Sequence, residues 1–167
     1  MSYLKKELFI KDLRLDNRLV MPPMASAFSD GGGVGQGLLD YYDEKSRGGH
    51  IGLVIVEHAY VSPDGMANRT QLSAASDLDL PGLSRLAETI HKNGSAAFMQ
   101  LNHCGAAARP GLPGFVPFTV SPETLPGRPL GPEDIERLED CFALSVLRAK
   151  KAGFDAVSYT HLRAHET

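Results

Sequence analysis

Apolar residues form short continuous runs along the chain, and these runs alternate with longer segments in which apolar residues recur every three or four positions. The short runs predict β-strands at residues 19–21 and 51–56, from residue 96 and from residue 154, with a small hairpin over residues 8–15 before them. The longer segments predict helices over residues 36–47, from residue 79 to a stop at Gly94, and from residue 132 to a stop at Gly153. Because strand and helix patterns alternate, the sequence predicts the α/β class, with a parallel sheet and crossover helices.

Residues 96–105 form an apolar run that turns polar at its carboxyl end, where Gln100, Asn102 and His103 precede a glycine. In α/β barrels the chemistry gathers where the parallel strands end, so this stretch predicts a functional site. Strand alternation places Gln100 and Asn102 on one face of the strand and His103 on the other. We therefore expect His103 to point toward the helix layer and to act as a structural hydrogen bonder.

The connections that follow the predicted strands are long. Pro22 and Pro23 cannot donate to a strand ladder and end the first strand, so a loop begins at Met24. Residues 60–78 are rich in Ser, Asp, Asn and Gly and predict a long surface loop. Residues 106–130 hold six prolines, and their length is more typical of a lid or binding loop than of a simple connection.

Composition narrows the class of protein. The chain has 167 residues, of which 43% are hydrophobic, enough for one domain with a core but short of the roughly 250 residues of a complete eight-stranded barrel. A formal net charge of −3 provides no basic footprint for nucleic acid, and no apolar run has the length of a membrane span. The first residues lack an apolar secretory segment and the two cysteines are far apart, so we expect a cytoplasmic protein without a disulfide framework.

Residues 158–167 differ in character from everything before them, since they are polar and basic where the fourth strand should continue with apolar residues. Their sequence resembles the translation of a transposase-type sequencing adapter. We therefore predict a folded domain over residues 1–157 and an artefactual tail over residues 158–167. His161, His165 and Glu166 have a spacing that zinc ligands use on a helix, but we interpret it as accidental in such a tail and predict no metal site.

Several short motifs agree, in order and spacing, with one known family. They are Asn-Arg-Leu-Val-Met-Pro-Pro-Met at 17–24, Asp-Tyr-Tyr at 40–42, Val-Glu at 56–57 with Ser-Pro-Asp-Gly at 62–65, Gln-Leu-Asn-His at 100–103 with Gly105, Val-Ser-Pro at 120–122, and Ala-Gly-Phe-Asp at 152–155. Each motif alone is weak, but together they make residues 8–157 resemble the N-terminal half of the old yellow enzyme family of NADH:flavin oxidoreductases.

The resemblance implies an incomplete TIM (β/α)8 barrel, with about strands one to four, three helices and an N-terminal hairpin. It also implies FMN at the carboxyl ends of the strands, NAD(P)H as reductant and a small-molecule electron acceptor such as an activated alkene. The family pattern places Pro23, Met24 and Ala25 against the flavin through their backbone and Gln100 at the ring edge. A carboxamide supplies both a donor and an acceptor to such an edge; the alternative for Gln100 is a polar strand end that faces solvent.

His58 stands where a small residue is common in the family. Its ring is therefore a candidate contact for flavin or substrate, and a packed or solvated loop histidine is the open alternative. Ala25 stands where family members often carry Cys or Thr. The family's substrate-orienting pair after strand four, its basic group on strand five and its phosphate-binding loops have no counterparts in this chain, so we predict no catalytic residue here.

Three functions follow as hypotheses. The first is a fragment of an FMN-dependent NAD(P)H oxidoreductase. The second is a catalytically inert half-barrel, which self-associates as a homo-oligomer through strand edges that a closed barrel would cover. The third is another phosphate-ligand barrel, such as an aldolase or isomerase, which suffers from the lack of any lysine or carboxylate at a strand end other than Glu57.

Overall fold

The computed structural model describes residues 2–109, 111 and 113–159. Within them the strands are β1 (Leu8–Ile10), β2 (Leu13–Leu15), β3 (Val20–Met21), β4 (Leu53–Tyr60), β5 (Leu72–Ser73), β6 (Ala96–Asn102), β7 (Phe118–Thr119), β8 (Arg128–Pro129) and β9 (Ala156–Tyr159). The α-helices are α1 (Gln36–Ser46), α2 (Leu80–His91) and α3 (Pro132–Lys151). The predicted hairpin, the three predicted helices and the four predicted strands are confirmed.

The main sheet is parallel and has the order β3-β4-β6-β9. Each of its strands follows the previous one after a helix, which is the arrangement that the alternating pattern predicted. The short strand β5 adds to β4 in parallel, β1 and β2 form the separate antiparallel hairpin, and β7 and β8 form a small ribbon in the long third loop. The carboxyl ends of β3, β4, β6 and β9 therefore lie at one rim.

The hydrophobic core lies between one face of this sheet and the three helices. Helix α2 shows why: Leu83, Leu86, Ala87 and Ile90 recur at helical spacing and all four are buried. From the sheet, the core takes alternate residues of β4 and β6: Val54, Val56, Ala97, Met99 and Leu101. The intervening residues of these strands consequently face away from the helices.

Residues 60–78 do not form the long surface loop that their composition predicted. Strand β4 continues through Tyr60, β5 pairs with its end, and Val61, Leu72 and Ala74 are buried. The prediction was wrong because polar residues of this segment bond to each other: the Ser62 hydroxyl donates to Asp64 at 2.5 Å and the Thr70 hydroxyl donates to Asn68 at 2.8 Å. Polar composition therefore marked internal hydrogen bonding here and not exposure to water.

Strand β9 extends two residues past the boundary that the sequence predicted at residue 157. Ser158 and Tyr159 pair with Gln100 and Leu101 of β6. The zinc-like spacing at 161–166 lies outside the described residues. Within the described part of the chain, no helix is long and apolar enough to cross a membrane.

Candidate functional site

A β-bulge marks the carboxyl end of the central strand pair. Val56 pairs with Met99 and Ala59 pairs with Leu101, so two residues of β4, Glu57 and His58, lie opposite the single residue Gln100 of β6. Bulges of this kind re-aim side chains and are frequent beside active sites. The bulge therefore gathers three polar side chains at the rim.

Gln100 is the most informative of these side chains. It faces away from the helices and is only 5% exposed, yet its carboxamide has no hydrogen-bond partner among the described residues. Its amide atoms are not among the fully buried, unpartnered side-chain atoms of the described residues, which are Arg18 Nε and His103 Nε2. Gln100 therefore presents at the rim a carboxamide that can both donate to and accept from a ligand or water.

The segment after β3 reaches the same rim. Pro23 is half-buried, while Met24 and Ala25 are exposed, and the backbone N–H groups of Met24 and Ala25 have no partner among the described residues. Ala25 shares the wall of a small cavity, of about 30 Å³, with His58. Ala25 and His58 thus line one cavity, and Gln100 lies opposite His58 in the register of β4 and β6.

Glu57 connects this segment to the bulge. Its side chain is 2% exposed, and one carboxylate oxygen accepts both the Ser26 backbone N–H at 3.1 Å and the Ser26 hydroxyl at 2.5 Å. The Glu57 backbone N–H in turn donates to the buried Tyr42 hydroxyl at 2.8 Å. Burial raises the pKa of Glu57 above its ordinary value, and the hydrogen bonds from Ser26 and Tyr42 offset only part of that rise.

His58 is half-buried, and this burial lowers the pKa of its imidazole. Since the ordinary value is 6.5, the ring is neutral at pH 7 and offers one donor and one acceptor. The His58 carbonyl accepts from the Gln71 carboxamide at 3.4 Å. The His58 ring therefore lies at the cavity wall, and its backbone is held by a hydrogen bond from Gln71 in the segment after β4.

The sequence analysis did not identify Gln71 as a site residue, nor the Asn102 side chain as its hydrogen-bond partner. Gln71 is buried, and its Nε2 donates to the Asn102 Oδ1 at 2.7 Å while its Oε1 accepts from the Ala67 backbone N–H. The Asn102 Nδ2 donates to the Cys104 sulfur at 3.2 Å. The only sequence signal was the alternation that put Asn102 on the face of Gln100, because nothing local indicates that Gln71 folds back onto it.

His103 does not lie in the helix layer as predicted. Its ring packs beneath Gly65, where an added Cβ would approach the His103 Cδ2 to 2.2 Å, and beside Phe118 at a centroid distance of 6.0 Å. The prediction failed because β6 ends at Asn102, so strand alternation no longer fixes the next residue. His103 does act as a structural hydrogen bonder, since its Nδ1 accepts from the Gly105 N–H at 3.1 Å.

Comparison with known proteins defines the class to which this fold and site belong. The sequence pattern of the NADH:flavin oxidoreductase / NADH oxidase family matches residues 6–162. Among solved structures, the Old Yellow Enzyme from Pichia sp. AKU4542 superposes with a TM-score of 0.84 at 24% identity, covering 95% of this chain and 45% of that one. Morphinone reductase in complex with tetrahydroNAD gives a TM-score of 0.85 at 23% identity, covering 95% and 49%.

The chain belongs to the NADH:flavin oxidoreductase / NADH oxidase family. It is 37% identical over 158 residues to an NADH oxidase of Thermoanaerobacter brockii and 34% identical over 151 residues to an NADPH dehydrogenase of Halalkalibacterium halodurans. These alignments cover 89% of this chain but only 24% and 44% of the two relatives. The solved neighbours are TIM barrels, so the predicted incomplete α/β barrel is confirmed.

Proposed function

We propose that the full-length protein carrying this chain is an FMN-dependent oxidoreductase that takes reducing equivalents from NADH or NADPH and passes them to a small-molecule electron acceptor. Family membership supports the proposal, as do the names of the relatives, an NADH oxidase and an NADPH dehydrogenase. An electron-poor alkene is the acceptor class that we propose.

The proposal depends most on the Gln100 carboxamide, which lies at the rim and has no hydrogen-bond partner among the described residues. The pyrimidine edge of a flavin presents donors and acceptors together, and a carboxamide matches both kinds of group. Within the same described part of the chain, the backbone N–H groups of Met24 and Ala25 have no partner either, and they add two donors from the neighbouring strand end. These donors and the Gln100 carboxamide are of the kind that an isoalloxazine requires.

Each side chain then has a defined task. Gln100 would bind the ring edge, the Pro23–Ala25 backbone would orient the ring, and neutral His58 would line the cavity beside the flavin or substrate. FMN, when bound, supplies the hydride chemistry, and the protein supplies binding and orientation.

The experiment is purification of the full-length protein followed by visible spectroscopy. We expect a flavin absorption spectrum that bleaches when NADH or NADPH is added without oxygen and recovers when an acceptor is supplied. Comparison of the two nucleotides in the same assay identifies the coenzyme. A full-length protein that stays colourless after incubation with FMN would contradict the proposal.

A second behaviour is proposed for the 167-residue chain by itself, which spans 24% and 44% of the two relatives above. Val20 and Leu147 are large apolar residues that are 46% and 52% exposed, on the open face of β3 and the outer face of α3. We expect the isolated chain to be catalytically inert and to self-associate. A monomer in light scattering, with a cooperative thermal transition, would contradict this; the cytoplasmic location stays a prediction.

A further inference from the structure

The segment of residues 24–28, which follows β3, is held to the sheet at Ser26. Among the described residues, the Ser26 N–H and hydroxyl both donate to Glu57 Oε2, whereas further along the same loop the Gly32 carbonyl accepts the backbone N–H of Ser73 in β5 at 2.9 Å. The surroundings of the Glu57 carboxylate are Ser26 and Tyr42, with no cation among them. Glu57 therefore acts here as a hydrogen-bond acceptor and not as half of an ion pair.

The same loop contains backbone strain. Ala27 has φ +60°, in the left-handed region that residues with a Cβ adopt at a cost. The Phe28 backbone N–H donates to the Ser26 hydroxyl oxygen at 3.3 Å, so a chain of bonds runs from Phe28 through Ser26 to Glu57 across the strained residue. A strained turn persists only when the surrounding structure holds it in place. Here the Glu57 carboxylate does so through its bonds from Ser26.

The position of Glu57 connects this clamp to the proposed flavin site. Glu57 and His58 form the bulge opposite Gln100, while Ser26 directly follows Ala25, whose backbone N–H has no partner among the described residues. The Glu57 main chain is itself held by the buried hydroxyl of Tyr42 on α1. Glu57 thus joins the loop that carries the Met24 and Ala25 donors to the strand position opposite Gln100.

We propose that Glu57 is a positioning residue that clamps the loop of residues 24–28 against the β4 bulge, and thereby sets the backbone donors of Met24 and Ala25 for the flavin. Only the part that concerns the flavin, the placement of the Met24 and Ala25 donors, rests on the proposed function. The clamp itself is a property of the protein without cofactor. Removing the carboxylate should release the loop, and restoring an acceptor of the same shape should hold it again.

The test uses the full-length protein, first stripped of flavin, and four variants: Glu57→Ala, Glu57→Gln, Ser26→Ala and the exposed Glu123→Ala as matched control. Amide hydrogen exchange is measured on peptides that cover residues 22–29. We expect at least about tenfold faster exchange in Glu57→Ala, a smaller increase in Ser26→Ala, which keeps the backbone bond, and values near wild type in Glu57→Gln and the control. Unchanged exchange in both Ser26→Ala and a folded Glu57→Ala would overturn the clamp.

FMN titration of the same variants, followed by flavin fluorescence and visible absorption, tests the second half. We expect about tenfold weaker binding and an altered absorption band in Glu57→Ala, with recovery in Glu57→Gln. If the wild type binds no FMN while Glu57→Ala still speeds loop exchange, the proposed function fails and the clamp stands. If the wild type binds FMN and Glu57→Ala binds it equally, with the same spectrum, the positioning role is overturned. Should Glu57→Ala not fold, the Ser26→Ala and Glu57→Gln pair decides both questions.

Discussion

Two loops at the same rim are anchored in opposite ways. Residues 24–28, after β3, are held by one buried carboxylate, Glu57, through two bonds to Ser26. The long loop after β6 has partly exposed contacts at Phe118, over which the Arg128 and Arg137 guanidinium groups lie at 4.5 and 5.5 Å, and Arg137 also pairs with Asp64 of the segment after β4. A single buried anchor therefore defines one geometry, while each of several solvated contacts can be lost at small cost.

The largest effect is expected where Gly65 packs against His103, the first residue of the loop after β6. In Gly65→Ala the new Cβ would lie 2.2 Å from the His103 ring, and overpacking of this kind costs about 3 kcal/mol. Gly37→Ala is the matched control, because the nearest atom to a Cβ there is Phe28 Cδ1 at 3.9 Å, an ordinary van der Waals distance. Urea unfolding of the full-length proteins measures both. Equal stability of the two variants would show that the His103 ring can move away from the added methyl group at no cost.

Glu57→Ala should lower the free energy of unfolding by about 2 kcal/mol, because it leaves the Ser26 hydroxyl and N–H without an acceptor. The exposed Glu123→Ala should change it by less than about 0.5 kcal/mol. The same urea experiment applies. A Glu57→Ala protein as stable as wild type would remove the contrast between the two anchors.

Arg137→Ala should cost less than about 1 kcal/mol, because its pair with Asp64 is partly exposed. Burial raises the pKa of Asp64, but hydrogen bonds from Ser62 and Arg137 outweigh it and hold that pKa below its ordinary value. Added salt should shrink the difference from wild type. A larger cost that salt leaves unchanged would mean that the second loop, too, depends on one anchor.

The smallest expected effect is the pH dependence of the free energy of unfolding. Because burial raises the pKa of Glu57 above its ordinary 4.5, the folded protein holds that proton more tightly than the unfolded chain. The resulting stabilisation is complete below pH 4.5 and is lost as pH rises through the folded value. Glu57→Gln cannot lose it, so its stability relative to wild type should increase with pH over that window in urea unfolding. A constant difference would indicate that burial does not disfavour the carboxylate.

Elements that follow from a repeating pattern of apolar residues could be predicted from the sequence. Contacts between residues far apart in the chain could not. Helix α2 and the buried face of β6 follow from spacing alone, and alternation together with the family motif singles out Gln100, whose role in binding flavin stays a prediction. The bulge at Glu57 and His58 is a difference in register between β4 and β6, which no single strand encodes. Gln71 and the clamp to Ser26 join residues 31 positions apart, and local pattern carries no signal at that range.

The central claim is that Gln100 and the segment 23–25 form one flavin-binding rim. Its most direct test is the FMN dissociation constant of the full-length protein, measured by fluorescence quenching for wild type, Gln100→Ala and the control Gln36→Ala, whose side chain donates to Asp40 on the surface of α1. The account predicts about tenfold weaker binding for Gln100→Ala and wild-type binding for Gln36→Ala. Equal dissociation constants for all three proteins would contradict it.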